Sequence, residues 1–453
     1  MKKDFSKGPV WKCILNQAIP LTVAQFVQLL YNIVDRIYIG HLAEGDSLAL
    51  TGVGLTFPVI TIIMAFTALF GIGGVPLFSI ALGEENKEKA GKILGNSAAL
   101  LLLSSVILTI LCYALCKPML FAFGASRDSV VYADAYLKVY LAGTVFSMLG
   151  TGLNGYISAQ GFPGIGMMSV VLGALVNIIL DPVFIFVFDM GISGAALATV
   201  ISQFVSVIWV LKFLSGKKAF ILLERSYMKI EKQITKEISK LGTANFIMQG
   251  TAFAVQVTCN NTLQNFGGDV YVGIMTVLSS VRDMFIMPLF GVVNGSQAVI
   301  GYNYGAKLYN RVKAGINFNT YVGFIYSALA WLLVVIFPEF FLKLFSSDVL
   351  MVETGVQAMH LYFFGFVFMA FQYAGQSTFQ SLGDAKHAIT FSLLRKVILV
   401  VPLTLILPYI GFGVNGVFLA EPISNVIGGG ACYLTMRLTV YKKLETEEHY
   451  GEV

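Results

Sequence analysis

The chain has 453 residues, of which 57% are apolar and only 12% charged, and its mean hydropathy is +0.77. A soluble domain carries about 25% charged residues because its surface must be wetted, so this composition excludes a water-soluble fold and places the chain in lipid. The net charge of +5 comes from basic residues lying mostly between apolar runs, which suits phospholipid headgroups and lacks the basic stripe of a nucleic-acid-binding domain.

In chain order, the first twelve residues are short and basic, and the apolar run behind them holds Pro20, Asp35 and Arg36 rather than a small-residue cleavage site. That run therefore reads as the first span and not as a cleaved signal. A helix needs about twenty residues to cross the ~30 Å hydrocarbon layer. On that measure the first six spans lie near Ile14–Ile39, Val53–Ile80, Ile93–Leu115, Tyr132–Ser158, Ile165–Phe188 and Ile192–Leu214. A polar stretch, Ser215–Lys240, reads as a solvated linker on an anionic membrane surface. Six more spans follow near Leu241–Phe266, Val270–Ile300, Ala314–Phe337, Val352–Leu382, Ala388–Tyr409 and Val414–Leu438. The five cysteines, Cys13, Cys112, Cys116, Cys259 and Cys432, are odd in number and show no zinc-ligand spacing; they read as small packing residues.

Basic residues set the orientation. With the amino terminus inside, Lys2, Lys3, Lys7 and Lys12, the linker lysines, Lys307, Arg311, Lys313, Lys442 and Lys443 all fall on the inner side. The outer segments keep only Lys117, Arg127, Lys138 and Lys343. Both termini are expected in the cytoplasm, with the protein in a bacterial inner membrane.

An internal repeat defines the architecture. A shift of 222 residues lays Gly73 on Gly295, Gly83 on Gly305, Tyr140 on Tyr362, Gly161 on Gly383, Gly191 on Gly413 and Ser202 on Ser424. One constant offset spanning several helices is the mark of a duplication. Six spans separate the copies, so both enter the membrane in the same direction. The expected fold is an all-α membrane protein of twelve transmembrane helices, in two parallel six-helix repeats with a central cleft. Residues 1–214 form the first lobe, 215–240 the cytoplasmic linker, 241–438 the second lobe and 439–453 a cytoplasmic tail.

Several stretches carry a family resemblance: Gly71–Gly74, the Gly83–Asn86 turn, Gln160–Pro163, Asn177–Phe186, Gly191–Ala196 and Gly295–Gly305. In this order and spacing the chain resembles the multidrug and toxic compound extrusion family over essentially its whole length. The resemblance implies export of small organic, often cationic, compounds driven by protons or sodium, with no other cofactor. The mode of action it implies is a rocker-like exchange between two six-helix lobes. The expected partners are organic substrates and membrane lipid, with no nucleic acid, and the chain is read as a monomer.

Spacing alone also points to an ion site in the first lobe. Asp35 lies in the first span, Asn177 and Asp181 one turn apart in the fifth, and Thr199 in the sixth. At 1.5 Å per residue all four fall between mid-membrane and roughly 12 Å toward the outside. Two carboxylates in a low-dielectric pocket cannot both stay charged without a cation. One must take a proton, or sodium must be held by oxygen ligands. The bland alternative pairs Asp35 with Arg36 and leaves Asp181 and Pro182 as a helix end. In one branch of the family, carboxylates on the first and fifth helices, an amide one turn before the second, and a sixth-helix hydroxyl form the cation site. Asp35, Asp181, Asn177 and Thr199 match those positions. Tyr136 and Asn154 are further contributors from the fourth span, although Asn154 lies nearer the cytoplasmic end. The same four, Asp35, Asn177, Asp181 and Thr199, are the metal ligands if the ion is sodium. Another branch places acidic residues on the seventh and tenth helices, where this chain has Asn260, Asn261, Gln264, Gln372, Gln376 and Gln380 instead. Pro20, fifteen residues before Asp35, permits a bend that cation loading is expected to alter.

The 222-residue shift maps Asp35, Asn177 and Asp181 onto Val257, Leu399 and Leu403, and Thr199 onto Glu421. The second lobe also holds Arg282, Asp283, Arg395 and Lys396. Buried charges seek partners, so the first reading is a structural network joining Arg282 or Arg395 with Glu421 and Asp283. The second is contact with an anionic or zwitterionic substrate group. Two other functions compete with export. A lipid-linked saccharide flippase could share the bundle but wants a more cationic cavity. An intramembrane enzyme would need a nucleophile–base pair or a metal cluster, and none of His41, His360, His387 and His449 stands in such a pattern, so the chain reads as a non-enzyme.

Overall fold

Backbone amides and carbonyls inside a bilayer must be satisfied within the protein, which restricts long apolar segments without strand patterning to helices. The computed structural model describes residues 5–40, 52–123, 125–127, 129–345 and 349–451, without the side chains at 32, 33, 36, 37, 39, 40, 253, 269 and 447–451. His41 and the Arg36 side chain, and with it the Asp35–Arg36 pairing, lie outside the described residues.

Among the described residues twelve long helical segments follow in order, with the short helices Cys116–Ala122 and Pro338–Lys343 between them. The first six are α1 Val10–Gly40, α2 Gly52–Gly83, α3 Lys87–Ala114, α4 Ser129–Ala142 continuing as Thr144–Ala159, α5 Pro163–Val187 and α6 Gly191–Leu214. The second six are α7 Lys232–Gly267, α8 Asp269–Gly305, α9 Tyr309–Ile336, α10 Val349–Phe363 with Phe368–Ser381, α11 Ala385–Ile406 and α12 Val414–Thr446. Among the described residues nine of these are long and apolar enough to cross a membrane, and α10, bent by 43°, makes a tenth. The other two are α4, interrupted at Gly143 and carrying Asp134 and Lys138, and α7, which opens on the charged turns Lys232–Lys240. Lys138, placed in an outer segment from the sequence, sits on α4 and pairs with Asp134 at 2.7 Å.

The described residues divide into two compact units, one running from Ile19 to Gln249, the other of Phe5–Ala18 with the chain from Gly250 onward. The division cuts α1 between Ala18 and Ile19, beside Pro20, although the helix runs unbroken through that proline. The first unit buries Ile63, Phe78, Leu94, Leu101, Leu153 and Tyr156. The Tyr156 hydroxyl lies 2.6 Å from Ser97 Oγ and 3.2 Å from the Gly71 carbonyl, tying α4 to α3 and α2. The second unit buries Leu278, Val281, Phe363 and Phe418. Outward faces stay apolar: α3 exposes Leu103, Ile107 and Ile110, and α9 exposes Ile325, Leu329 and Ile336. A helix apolar on every side is a membrane helix rather than a soluble one.

Backbone geometry repeats the duplication. Left-handed φ recurs at Glu85 and Lys307, Gly161 and Gly383, Asp189 and Gly411, and Gly191 and Gly413. Each pair is separated by 222 residues, and α3 and α9 begin and end at the same offset. Positive φ is uncommon outside glycine, so its recurrence at Glu85 and Lys307 marks one turn design used twice. Gly73 and Gly242 serve a different need. A Cβ on Gly73 would meet the Gly242 Cα, so α2 and α7 touch backbone to backbone.

The linker is docked rather than simply solvated. The Gln160 side-chain carbonyl accepts the Phe220 and Ile221 amides at 2.8 and 3.0 Å. The Asn96 side chain accepts the Glu231 amide at 2.7 Å and donates to the Tyr227 carbonyl at 3.3 Å. Both amide side chains are buried, and α7 starts at Lys232, inside the stretch read as linker. Truncating a buried partner leaves its mate unsatisfied, at a cost of about 1–3 kcal/mol. Asn96→Ala and Gln160→Ala are therefore each expected to lower the unfolding temperature in detergent and to speed protease cleavage between residues 215 and 231. Cleavage at the wild-type rate in both variants would show that these amides do not hold the linker.

Candidate functional site

In the first unit, α5 and α6 bring three of the sequence candidates into contact. Asn177 Nδ2 donates to Asp181 Oδ1 at 3.2 Å and lies 3.5 Å from Thr199 Oγ1. The Thr199 hydroxyl donates to the Ala195 carbonyl at 3.1 Å. Asn177 and Asp181 are fully buried, and Thr199 and Tyr136 nearly so. The Asp181 carboxyl lies within hydrogen-bonding reach of Asp35 from α1. Tyr136 from α4 is close enough to feel the Asp35 charge and stands beside Thr199. Asp35, Tyr136, Asn177, Asp181 and Thr199 thus form one group drawn from four helices, with Asp35 half-buried and the other four buried.

Local sequence explains how α5 presents its pair. Asn177 and Asp181 are four residues apart and share a helix face. Pro182 then removes a backbone donor, and the chain widens into a π turn over Val183–Val187 directly after Asp181. Such turns occur mostly as single bulges at functional positions.

Asn154 is not part of the group. Its amide donates to the Gly166 carbonyl at 3.1 Å and to Ser169 Oγ at 3.2 Å, near the start of α5. Ser169 precedes Asn177 by eight residues, roughly 12 Å along the helix, so the side chain is too far down the bundle to join. Two residues absent from the sequence reading do belong. Tyr31 lies one turn before Asp35 and is within reach of Thr199, and Tyr140 stacks on Tyr136 with ring centroids 6.2 Å apart. The available signal was the i,i+4 spacing of Tyr31 with Asp35 and of Tyr136 with Tyr140.

The donor set fits a small cation. Asn177 Oδ1 and Asp181 Oδ2 are buried oxygens without a hydrogen-bond partner among the described residues. Together with the Thr199 hydroxyl and the Asp35 carboxyl they offer only oxygen, the donor type that suits a proton or a hard monovalent ion.

The second unit carries the opposite charge at the equivalent place. Glu421 of α12, the repeat partner of Thr199, bonds Arg395 at 2.9 Å and Lys396 at 3.1 Å, both from α11. Arg395 and Glu421 are buried. Arg282 of α8 pairs with Asp283 at 3.0 Å and donates to the Tyr362 hydroxyl at 2.7 Å. The expected network is therefore split: Arg395 takes Glu421, Arg282 takes its neighbour Asp283, and Lys396 joins the Glu421 side. Here too the backbone is widened, over Leu394–Val400 and again over Asn425–Gly429.

A duplicated twelve-helix bundle with clusters of polar and charged groups inside its spans is the architecture of a membrane transporter rather than an enzyme. The chain belongs to the MatE family, whose signature matches residues 20–183 and 244–406. It is 26% identical over 442 residues to the multidrug export protein MepA of Staphylococcus saprophyticus, covering 96% of this chain and 95% of that protein. MepA of Staphylococcus aureus is 25% identical over the same share of both chains. The fold is similar to the crystal structure of MATE in complex with MaL6, at a TM-score of 0.90 and 23% identity, over 98% of each chain.

The two clusters differ in what their loss would cost. Removing one member of a buried ion pair destabilises by about 3–5 kcal/mol, because the partner charge is stranded. Losing a single neutral hydrogen bond costs about 1 kcal/mol. Glu421→Gln is expected to cut the yield of folded protein after heating far more than Thr199→Val, read by size-exclusion of a fluorescent fusion. Equal losses would show that Glu421 does not neutralise the cations beside it.

Proposed function

We propose that this chain is a cation-coupled antiporter, exchanging protons or sodium for small organic, amphiphilic or cationic compounds by alternating access. The reading places it as a monomer in the bacterial cytoplasmic membrane with both termini inside. The observation that carries it is the meeting of Asp35 and Asp181 beside Asn177, Thr199 and Tyr136 in the interior of the first unit. A cation satisfies the two acids; without it their repulsion favours separating α1 from α5. Ion binding is thereby linked to helix arrangement, and an outward-directed cargo can be exchanged for the inward-moving ion. Pro20, inside α1, is the place where that helix would bend. The multidrug export proteins similar over nearly the full chain favour this reading over a saccharide flippase.

The test is efflux of a panel of lipophilic dyes from proteoliposomes, with a proton gradient and a sodium gradient imposed separately. The wild type is expected to respond to one of the two, and Asp35→Asn and Asp181→Asn are each expected to lose at least about tenfold in driven rate, the kinetic equivalent of ~1.4 kcal/mol. Pro20→Ala is expected to slow turnover while leaving dye binding intact. Efflux that ignores both gradients, or survives both aspartate substitutions, would sink the coupling scheme.

A further inference from the structure

The charges buried in the second unit do not balance. Glu421 is shared by Arg395 and Lys396, so one carboxylate faces two cations. Arg282, close enough to act on the same glutamate, is already matched by Asp283. An excess positive charge in a low-dielectric bundle is costly unless an anion completes it. A second, independent observation agrees. Arg395 is 4% exposed, and its Nε–H has no hydrogen-bond partner among the described residues. The Lys396 side chain keeps 15% of its surface accessible, so the cluster is not sealed. Tyr362 and Tyr373 from α10, both buried, stand beside these charges.

We infer that Lys396 and Arg395 form an acceptor site for a single carboxylate or sulfonate on a transported organic molecule. The inference rests on the export reading and narrows its substrate class to amphiphiles that carry an anionic group, zwitterions included. An arginine offers a planar N–H edge that suits a carboxylate, and a lysine adds a mobile point charge. Glu421 holds both cations in place. It also keeps the net charge at one, enough for one anionic group and too little to trap a multivalent one.

The probe pair is a zwitterionic rhodamine with a free carboxylate and its cationic ethyl ester, which differ by one charge on the same ring system. Binding to the full-length protein in detergent is followed by fluorescence polarisation, and export by wild-type proteoliposomes is followed separately. The wild type is expected to bind the free acid roughly tenfold more tightly than the ester, the affinity equivalent of one modest charged contact. Lys396→Met leaves Arg395 and Glu421 as a balanced pair, so its fold is retained and its preference for the acid is expected to vanish. Lys396→Arg should keep the preference, and a folded Lys396→Met protein by size-exclusion makes the comparison valid. Equal binding of the two dyes by the wild type, no binding of either, or an unchanged preference in Lys396→Met would each overturn the site. Chloride that abolishes the preference at millimolar concentration would overturn it in favour of an inorganic-ion site. Preferred binding of the acid without export of either dye would uphold the site while sinking the export reading on which its transport role rests.

Discussion

Charge inside a bilayer must find a partner, and the arrangement of this protein follows from how each repeat meets that requirement. The first unit gathers two acids, Asp35 and Asp181, among neutral oxygen donors. The second unit satisfies its acid internally, with Arg395 and Lys396 on Glu421. Two carboxylates brought together in a low-dielectric interior can change their protonation or their bound cation. A carboxylate clamped by two fixed cations has no comparable freedom, so the two halves of a duplicated scaffold are electrically unlike at equivalent positions.

Thr199 and Glu421 show how small a change separates them. They occupy the same place in the repeat, on helices that begin at left-handed glycines 222 residues apart, Gly191 and Gly413. The neighbouring tyrosines are shared as well: Tyr140 belongs to the first cluster, and its counterpart Tyr362 takes Arg282 in the second. The backbone positions were inherited in common while the charges diverged. Divergence is easiest where the widened turns lie, after Asp181 and around Arg395 and Glu421. A π turn frees a carbonyl and shifts the following side chains, so an ion or a polar group can be held without breaking the helix.

Much of this was legible in the residues. Helix order and number were, because lipid demands long apolar segments and the chain supplies little else. The duplication was also, and the turn conformations at Glu85 and Lys307 give it a geometric basis independent of residue identity. Asn177 with Asp181 could be read from i,i+4 spacing. The gathering of Asp35 with them could not, since depth along a helix says nothing of rotation about it. Tyr31 and Tyr140 were missed because a tyrosine in an apolar span resembles ordinary packing until a carboxylate is placed beside it. Asn154 failed for the opposite reason. It was a polar group in the right helix, and its nearer partners at Gly166 and Ser169 claimed it.

The linker teaches a related lesson about polar sequence. Its lysines and glutamates suggest a strap lying in solvent, and most of those side chains are indeed exposed or half-buried. What fixes it is the backbone, held by two buried amide side chains, Asn96 of α3 and Gln160 at the end of α4. The linker's own sequence contains no sign of this, because a backbone amide looks the same in every residue. The sign lay elsewhere, in two amides, Asn96 within α3 and Gln160 just past the end of α4, that are buried and must find partners. An uncharged polar side chain in an apolar segment is costly until it finds a donor or an acceptor. Asking what each such residue bonds locates the contacts of a membrane protein more directly than the charge of its loops.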